Sequence, residues 1–181
     1  PAAEISLDSL LPREEEQNTS AALVRGIAAK LTELGYPLSG VDAYAVSNVI
    51  AGAGLSSSAS YEVLLCNIFN HFFCGGVLDS VTIAKVSQYA ENIYFGKPCG
   101  LMDQMGSSVG GAVAIDFDDP ANPIVEKVDY DFAQSSHALC IVDTGSGHAD
   151  MTDDYADITR ELGTIAAYFG KKFLREVLEG D

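Results

Sequence analysis

Apolar residues at Leu23, Ile27, Leu31 and Leu34 follow the polar triplet Asn18-Thr19-Ser20 at intervals of three and four. That period predicts a helix capped by the triplet and closed at Gly35. Val41 to Val49 alternates and is rich in β-formers, which predicts a strand delivering the chain into the glycine- and serine-rich run Gly52 to Ser58. From Ser57 to Phe73 the pattern is apolar on most faces, with Val63, Leu64, Leu65, Ile68, Phe69, Phe72 and Phe73, and predicts a central, buried helix. Asp79 is placed to cap a helix running to Tyr94, ended by Gly96 and Pro98, and a short glycine-punctuated helix is expected over Leu101 to Val109. Strands are expected at Ala112 to Phe117, Ile124 to Val128 and Ala138 to Asp143, the first two joined by the turn-prone run Asp118 to Pro123. From about Met151 the pattern is helical again, with Tyr155, Ile158, Leu162, Ile165 and Phe169 on one stripe.

Composition narrows the partners. The 181 residues are 48% hydrophobic, enough to bury a real core in one large or two small domains. The net charge is −16 and the ten Lys and Arg residues are scattered, which disfavours nucleic acid or an anionic membrane surface as a partner. Polyphosphate would then arrive with Mg²⁺. Cys66, Cys74, Cys99 and Cys140 show no Cys-x-x-Cys spacing and read as buried free thiols. The chain shows no secretory leader and no apolar run of about 18 residues, so a cytoplasmic location is expected.

The chemistry concentrates in Gly52-Ala53-Gly54-Leu55-Ser56-Ser57-Ser58. Glycines let the backbone approach an anion, and the helix that follows aims free N–H groups and its positive dipole end at the same place. Serine hydroxyls add donors and one candidate metal ligand. The same pattern also occurs in helix-entry turns that bind nothing. It is neither the Lys-containing P-loop nor the dinucleotide fingerprint. Glu91 and Asp103 stand twelve residues apart around the turn Gly96-Lys97-Pro98-Cys99-Gly100. Glu91 is the candidate Mg²⁺ ligand, since that ion takes one or two protein oxygens beside phosphate and water. Asp103, among Leu101, Met102 and Met105, is the candidate to orient a substrate hydroxyl and accept its proton. Each also admits a plainer reading, Glu91 as a solvated helix glutamate and Asp103 as a helix cap.

Val49 to Leu65, Ala90-Glu91-Asn92 and Pro98-Cys99-Gly100-Leu101-Met102-Asp103-Gln104 resemble the galactokinases of the GHMP small-molecule kinase superfamily. The Gly-Leu-Ser-Ser-Ser-Ala motif is shared across the superfamily, whereas the Cys99 to Gln104 run is more particular to galactokinases. The resemblance implies an α+β, GHMP kinase-like fold. Residues 1–132 would be the later part of an N-terminal domain and residues 133–181 the start of a C-terminal one. It implies that Gly52 to Ser58 wraps the phosphates of ATP, that Ser58 and Glu91 hold Mg²⁺, and that Asp103 is the catalytic residue facing the anomeric hydroxyl of galactose. Gly100 and Tyr155 would stand beside the sugar.

The sugar-gripping Gly-Glu-His-type segment and the Gly-rich third motif of that family have no counterpart in these residues, so an internal piece of a kinase is expected, inactive alone and prone to self-association. Another kinase of the superfamily, or a sugar- and nucleotide-binding sensor that has lost turnover, are the alternatives. His71 reads as a core or rim residue, and His137 and His148 lack zinc spacing. Asp150, Asp153, Asp154 and Asp157 read as a solvated acidic helix start rather than a calcium loop.

Overall fold

A computed structural model describes residues 4–49, 54–142 and 152–178, the side chains of 152–155 excepted. The chain divides into two compact units, Pro1–Gly145 and Ser146–Asp181.

In the first unit, α1 spans Ser20–Glu33, with the Thr19 hydroxyl accepting from the Ala22 N–H at 3.4 Å and Gly35 in the left-handed region (φ 93°) just past its end. Leu23, Ile27 and Leu31 form its buried stripe, while Leu34, one residue beyond the helix, turns to solvent. Arg25 on the same helix is 1% exposed. Its guanidinium donates to both Glu16 carboxylate oxygens at 2.7 and 2.6 Å and to the Ser9 and Ser6 carbonyls at 2.6 and 3.3 Å, clasping the N-terminal segment to α1.

Helix α2 spans Ser57–Phe73 and packs Val63, Cys66 and Phe69 against Leu23, Ile27 and Leu31 of α1. It is not buried all round: Leu64 and Phe72 are exposed. Helix α3, Ser80–Tyr89, starts where Asp79 Oδ1 accepts from the Thr82 N–H at 2.7 Å. It then widens into a π-helical turn, Ala90–Phe95, which Gly96 (φ 86°) ends. Such a turn disturbs the helical ladder and is favoured where a side chain must be aimed rather than merely packed. Helix α4, Met102–Val109, sets Leu101 and Met105 on Ala84 of α3 in a second apolar cluster with Ile115 and Val125.

Strands β1, Ala112–Asp116, and β2, Ile124–Val128, pair antiparallel from Ala112↔Val128 to Asp116↔Ile124. Asp119 ties the turn between them, accepting from the Ala121 N–H and the Asn122 amide. Among the described residues, helices with this one hairpin make an α+β arrangement.

Two expected strands do not form. Residues 41–49 and 138–142 take no regular structure, and Asp143 lies outside the described residues. A strand exists only when a neighbour receives its N–H and C=O groups, and among the described residues β1 and β2 pair only with each other. Tyr44, Val46, Leu139, Ile141 and Val142 are consequently all exposed. The cysteine expectation also needs correction: all four thiols are free, but Cys99 is half-buried and Cys140 exposed, the latter because its segment joins no sheet.

In the second unit α5 spans Thr152–Tyr168, its C-terminus closed by Gly170 (φ 67°), and a 3₁₀ turn follows at Leu174–Glu176. Ala166 is buried, while Ile158, Leu162 and Ile165 of the expected stripe are more than two-fifths exposed. No helix among the described residues is long and apolar enough to cross a membrane.

Candidate functional site

Three elements of the first unit meet at one side chain. Gln104, on α4, is 1% exposed, and its Nε2 donates to Glu62 Oε2 of α2 at 3.1 Å and to Glu91 Oε2 of the π-helical turn at 2.8 Å. A primary amide has two N–H bonds, and here they reach two carboxylates, with Cys99 Sγ a third and longer acceptor at 3.5 Å. Glu62 is 0% and Glu91 2% exposed, so both carboxyl groups are withdrawn from water.

Burial, then the neighbouring Glu91 charge, pushes the Glu62 carboxyl up to about 8, with the Gln104 hydrogen bond acting in the opposite direction. Burial of the Glu62 carboxyl thus favours its protonated form, while Glu91 Oε1 faces the Lys97 ammonium at 3.6 Å. Cys99 Sγ lies 3.5 Å from Gln104 Nε2, and its thiol is pushed well up by burial and by Glu91 beside it, so it is no nucleophile. Glu62 Oε1, Glu91 Oε1 and Gln104 Oε1 are buried oxygens without a hydrogen-bond partner. Buried acceptors left bare are costly, and a hard cation or a proton donor is what such oxygens suit. Among the described residues no three His, Cys, Asp or Glu side chains cluster to hold a metal by themselves, so a cation here would also draw on hydroxyl or ligand oxygens.

The phosphate-loop candidates lie at the entry to α2. Gly52 and Ala53 fall outside the described residues. Gly54 (φ 73°) and Ser56 (φ 52°) are both left-handed, a conformation that is strained for serine and that occurs where the surrounding structure imposes it. Leu55 is exposed; Ser56, Ser57 and Ser58 are half-buried. Ser56 makes no side-chain capping bond to α2, leaving the first-turn N–H groups without that partner. Ser58 precedes Glu62 by four residues on α2, so the two share a helix face.

Glu91 is not the solvated helix glutamate of its plainer reading; the π-helical turn carries it inward against Gln104. Asp103 sits in the first turn of α4 with its side chain exposed, next in sequence to Gln104, beside buried Leu101 and Met105 but also an exposed Met102. The preceding turn is built by Asn92, whose Oδ1 accepts from the Cys99 N–H at 2.7 Å, while Gln88 Nε2 donates to the Cys99 carbonyl at 3.0 Å. Gly100 is exposed at its end. The structure thus gathers Ser58, Glu91 and Asp103 onto three elements joined through Gln104. Tyr155 lies in the second unit on α5 and its side chain is not described.

Glu62 escaped the sequence reading. Its signal was a lone glutamate one turn after Ser58, amid the apolar positions Val63, Leu65 and Cys66; nothing local identified Glu91 as its counterpart. Beside the loop, a cleft of about 420 Å³ opens between residues 45–49 and Ser57, Ser60, Tyr61 and Leu64. A larger one of about 510 Å³, lined by Asp8, Leu10, Thr32, Glu33 and Tyr89, contains none of the candidate residues.

Comparison with known proteins agrees with this layout. Residues 22–111 match the GHMP kinases N terminal domain, a range that encloses the serine loop, Glu91 and Asp103. The chain is 33% identical over 178 residues to a galactokinase of Streptomyces coelicolor, an alignment covering 98% of this chain and 45% of that protein. It is 41% identical over 86 residues to a galactokinase of Clostridium tetani (48% of this chain, 22% of that protein) and 32% identical over 181 residues to one of Streptomyces lividans (98% and 44%). The chain spans less than half the length of these relatives. It belongs to the GHMP kinases, and the relatives it resembles within them are galactokinases.

Proposed function

We propose that this chain carries the phosphate, metal and acceptor machinery of an ATP-dependent kinase that phosphorylates galactose at its anomeric hydroxyl. The observation that carries the reading is the Gln104 bridge, which draws the helix bearing Ser58, the turn bearing Glu91 and the helix bearing Asp103 to one place. Galactose as the acceptor rests on the relatives that align with 98% of the chain.

In this reading residues 1–132 belong to the N-terminal domain and 133–181 open the C-terminal one. The residues Gly52, Ala53, Gly54, Leu55, Ser56, Ser57 and Ser58 cradle the ATP phosphates with backbone N–H groups and hydroxyls. Ser58 and Glu91 would hold Mg²⁺, which when bound neutralises phosphate charge. Asp103, free of the buried network and open to solvent, aligns the acceptor hydroxyl and takes its proton. Gly100 borders open space in which the sugar would approach, a Cβ there meeting nothing within 4 Å, and Tyr155 contacts the sugar. Positioning and fixed charge would supply most of the rate. The protein's partners are small molecules rather than nucleic acid, in keeping with the −16 charge, and its four free thiols suit a reducing cytoplasm.

The test is an acceptor panel of galactose, other hexoses, mevalonate and homoserine with Mg²⁺ and ATP, using the whole protein and reading product by ³¹P NMR. An anomeric phosphate formed from galactose alone is expected. Turnover on mevalonate or homoserine would assign a different kinase of the superfamily, and tight sugar and nucleotide binding without turnover would assign a sensor.

A further inference from the structure

We propose that Glu62 and Gln104 are positioning residues that hold the Glu91 carboxylate so that one of its oxygens is fixed and the other is presented. This rests on the assignment of Glu91 to the magnesium site and adds to it a pair of residues that do not touch the ion.

Glu62 is fully buried on a helix whose neighbouring inward positions are apolar, where a carboxyl group contributes nothing to packing that a leucine would not. Its hydrogen bond is to Gln104, whose second N–H goes to Glu91. Both donors of the amide are therefore engaged, and the amide cannot rotate without breaking one of them. Only Oε2 of Glu91 is taken; Oε1 has no hydrogen-bond partner and has the Lys97 ammonium at 3.6 Å. A carboxylate held by one oxygen, whose other oxygen is buried and bound by no hydrogen-bond donor, has a single oxygen left to serve as a ligand.

The same pair fixes where that oxygen stands. Glu62 lies one helical turn beyond Ser58 on the same face of α2, and Gln104 follows Asp103 on α4. The bridge thereby registers the metal-ligand carboxylate against both the serine loop and the acceptor residue. Without the Glu62 oxygen, Gln104 Nε2 keeps its bond to Glu91 and the long contact to Cys99 Sγ, and Glu91 loses the tie to α2 while every proposed contact to the ion remains in the chain. Groups that orient a ligand carboxylate in this way typically govern about 10- to 100-fold in metal affinity.

The experiment is a Mn²⁺ titration of the whole protein with saturating AMP-PNP, following free Mn²⁺ by electron paramagnetic resonance, beside calorimetric AMP-PNP binding without metal. Glu62→Leu and Gln104→Met are expected to weaken Mn²⁺ about 10- to 100-fold, with metal-free nucleotide affinity unchanged. Glu62→Gln keeps an oxygen that accepts from Gln104 and should stay within about threefold of wild type, a rescue that a packing role for the site would not give to the Gln104→Met variant. Gln104→Met also reads the proposal if Glu62→Leu does not fold. Wild-type Mn²⁺ affinity in Glu62→Leu and Gln104→Met, alongside loss in Glu91→Gln, would overturn the positioning role alone. Wild-type affinity in Glu91→Gln would bring down the magnesium assignment and this role with it.

Discussion

Gly26→Ala sets two physical effects of opposite sign against each other at the contact that places the π-helical turn. Gly26 lies inside α1, where glycine costs about 1 kcal/mol relative to alanine, so helix propensity alone makes the substitution stabilising. A Cβ at this position, however, would fall 2.8 Å from both Cα and Cβ of Ala90 and 2.9 Å from Cδ2 of Tyr94, closer than real Cβ atoms come. Ala90 Cα is backbone and cannot swing aside, and Tyr94 is buried with its hydroxyl donating to the Leu10 carbonyl at 2.7 Å. The helices must separate, and forcing a methyl group into a filled contact costs about 1–3 kcal/mol. The net expectation is a loss of up to about 2 kcal/mol. Gly106 in α4 is the control, because a Cβ there meets nothing within 4 Å; Gly106→Ala should stabilise by about 0.5–1 kcal/mol. Urea denaturation of the whole protein and the two variants measures both. If Gly26→Ala raised the midpoint as much as Gly106→Ala does, the close approach of α1 to Ala90 would be refuted.

Glu62 carries a pH signature: its folded value of about 8 exceeds the unfolded 4.5, so the folded state binds the extra proton and stability falls as pH rises from about 4.5 to 8. On the order of 5 kcal/mol is at stake, and Glu62→Gln, measured in EDTA, should flatten that slope; an unchanged slope would show that Glu62 ionises normally. Glu91→Gln should weaken the Mg²⁺-dependent part of nucleotide binding and be partly rescued by excess Mg²⁺, because an amide is a poorer ligand for a hard cation; equal shifts with and without Mg²⁺ would make Glu91 purely structural. This 181-residue chain by itself should lack galactose-dependent turnover and self-associate at moderate salt, since Tyr44, Val46, Leu139 and Val142 are exposed on segments with β-forming sequence. Light scattering that shows a strict monomer would reject the second half of that expectation.

The helices were legible in the sequence because their signals are local. Thr19 and Asp79 cap the helices they announce, and Gly35 and Gly96 end them with left-handed backbone. The hairpin from Ala112 to Val128 was legible for the same reason, its turn carried by Asp119 and its partners adjacent in the chain. Residues 41–49 and 138–142 have the alternation of strands and form none, because alternation specifies a face but not a neighbour to bond with. The site divides along the same line. The candidates Ser58, Glu91 and Asp103 were read from motifs, but the π-helical widening that turns Glu91 inward has no local sequence mark. Glu62 read as an ordinary helix residue, and its meeting with Glu91 across Gln104 spans 42 and 13 residues of chain, a relation only the packed helices create.

The division of labour between Asp103 and the nucleotide site is tested most directly by galactose-dependent ADP release from the whole protein, wild type beside Asp103→Ala, with nucleotide affinity measured in parallel. Asp103 is exposed and outside the Gln104 network, so its removal should leave ATP affinity within about threefold while turnover falls about 10²- to 10⁴-fold, the usual worth of a general base. Turnover within about threefold of wild type would contradict the assignment of Asp103 to the acceptor hydroxyl, and with it the reading of this site as a sugar kinase centre.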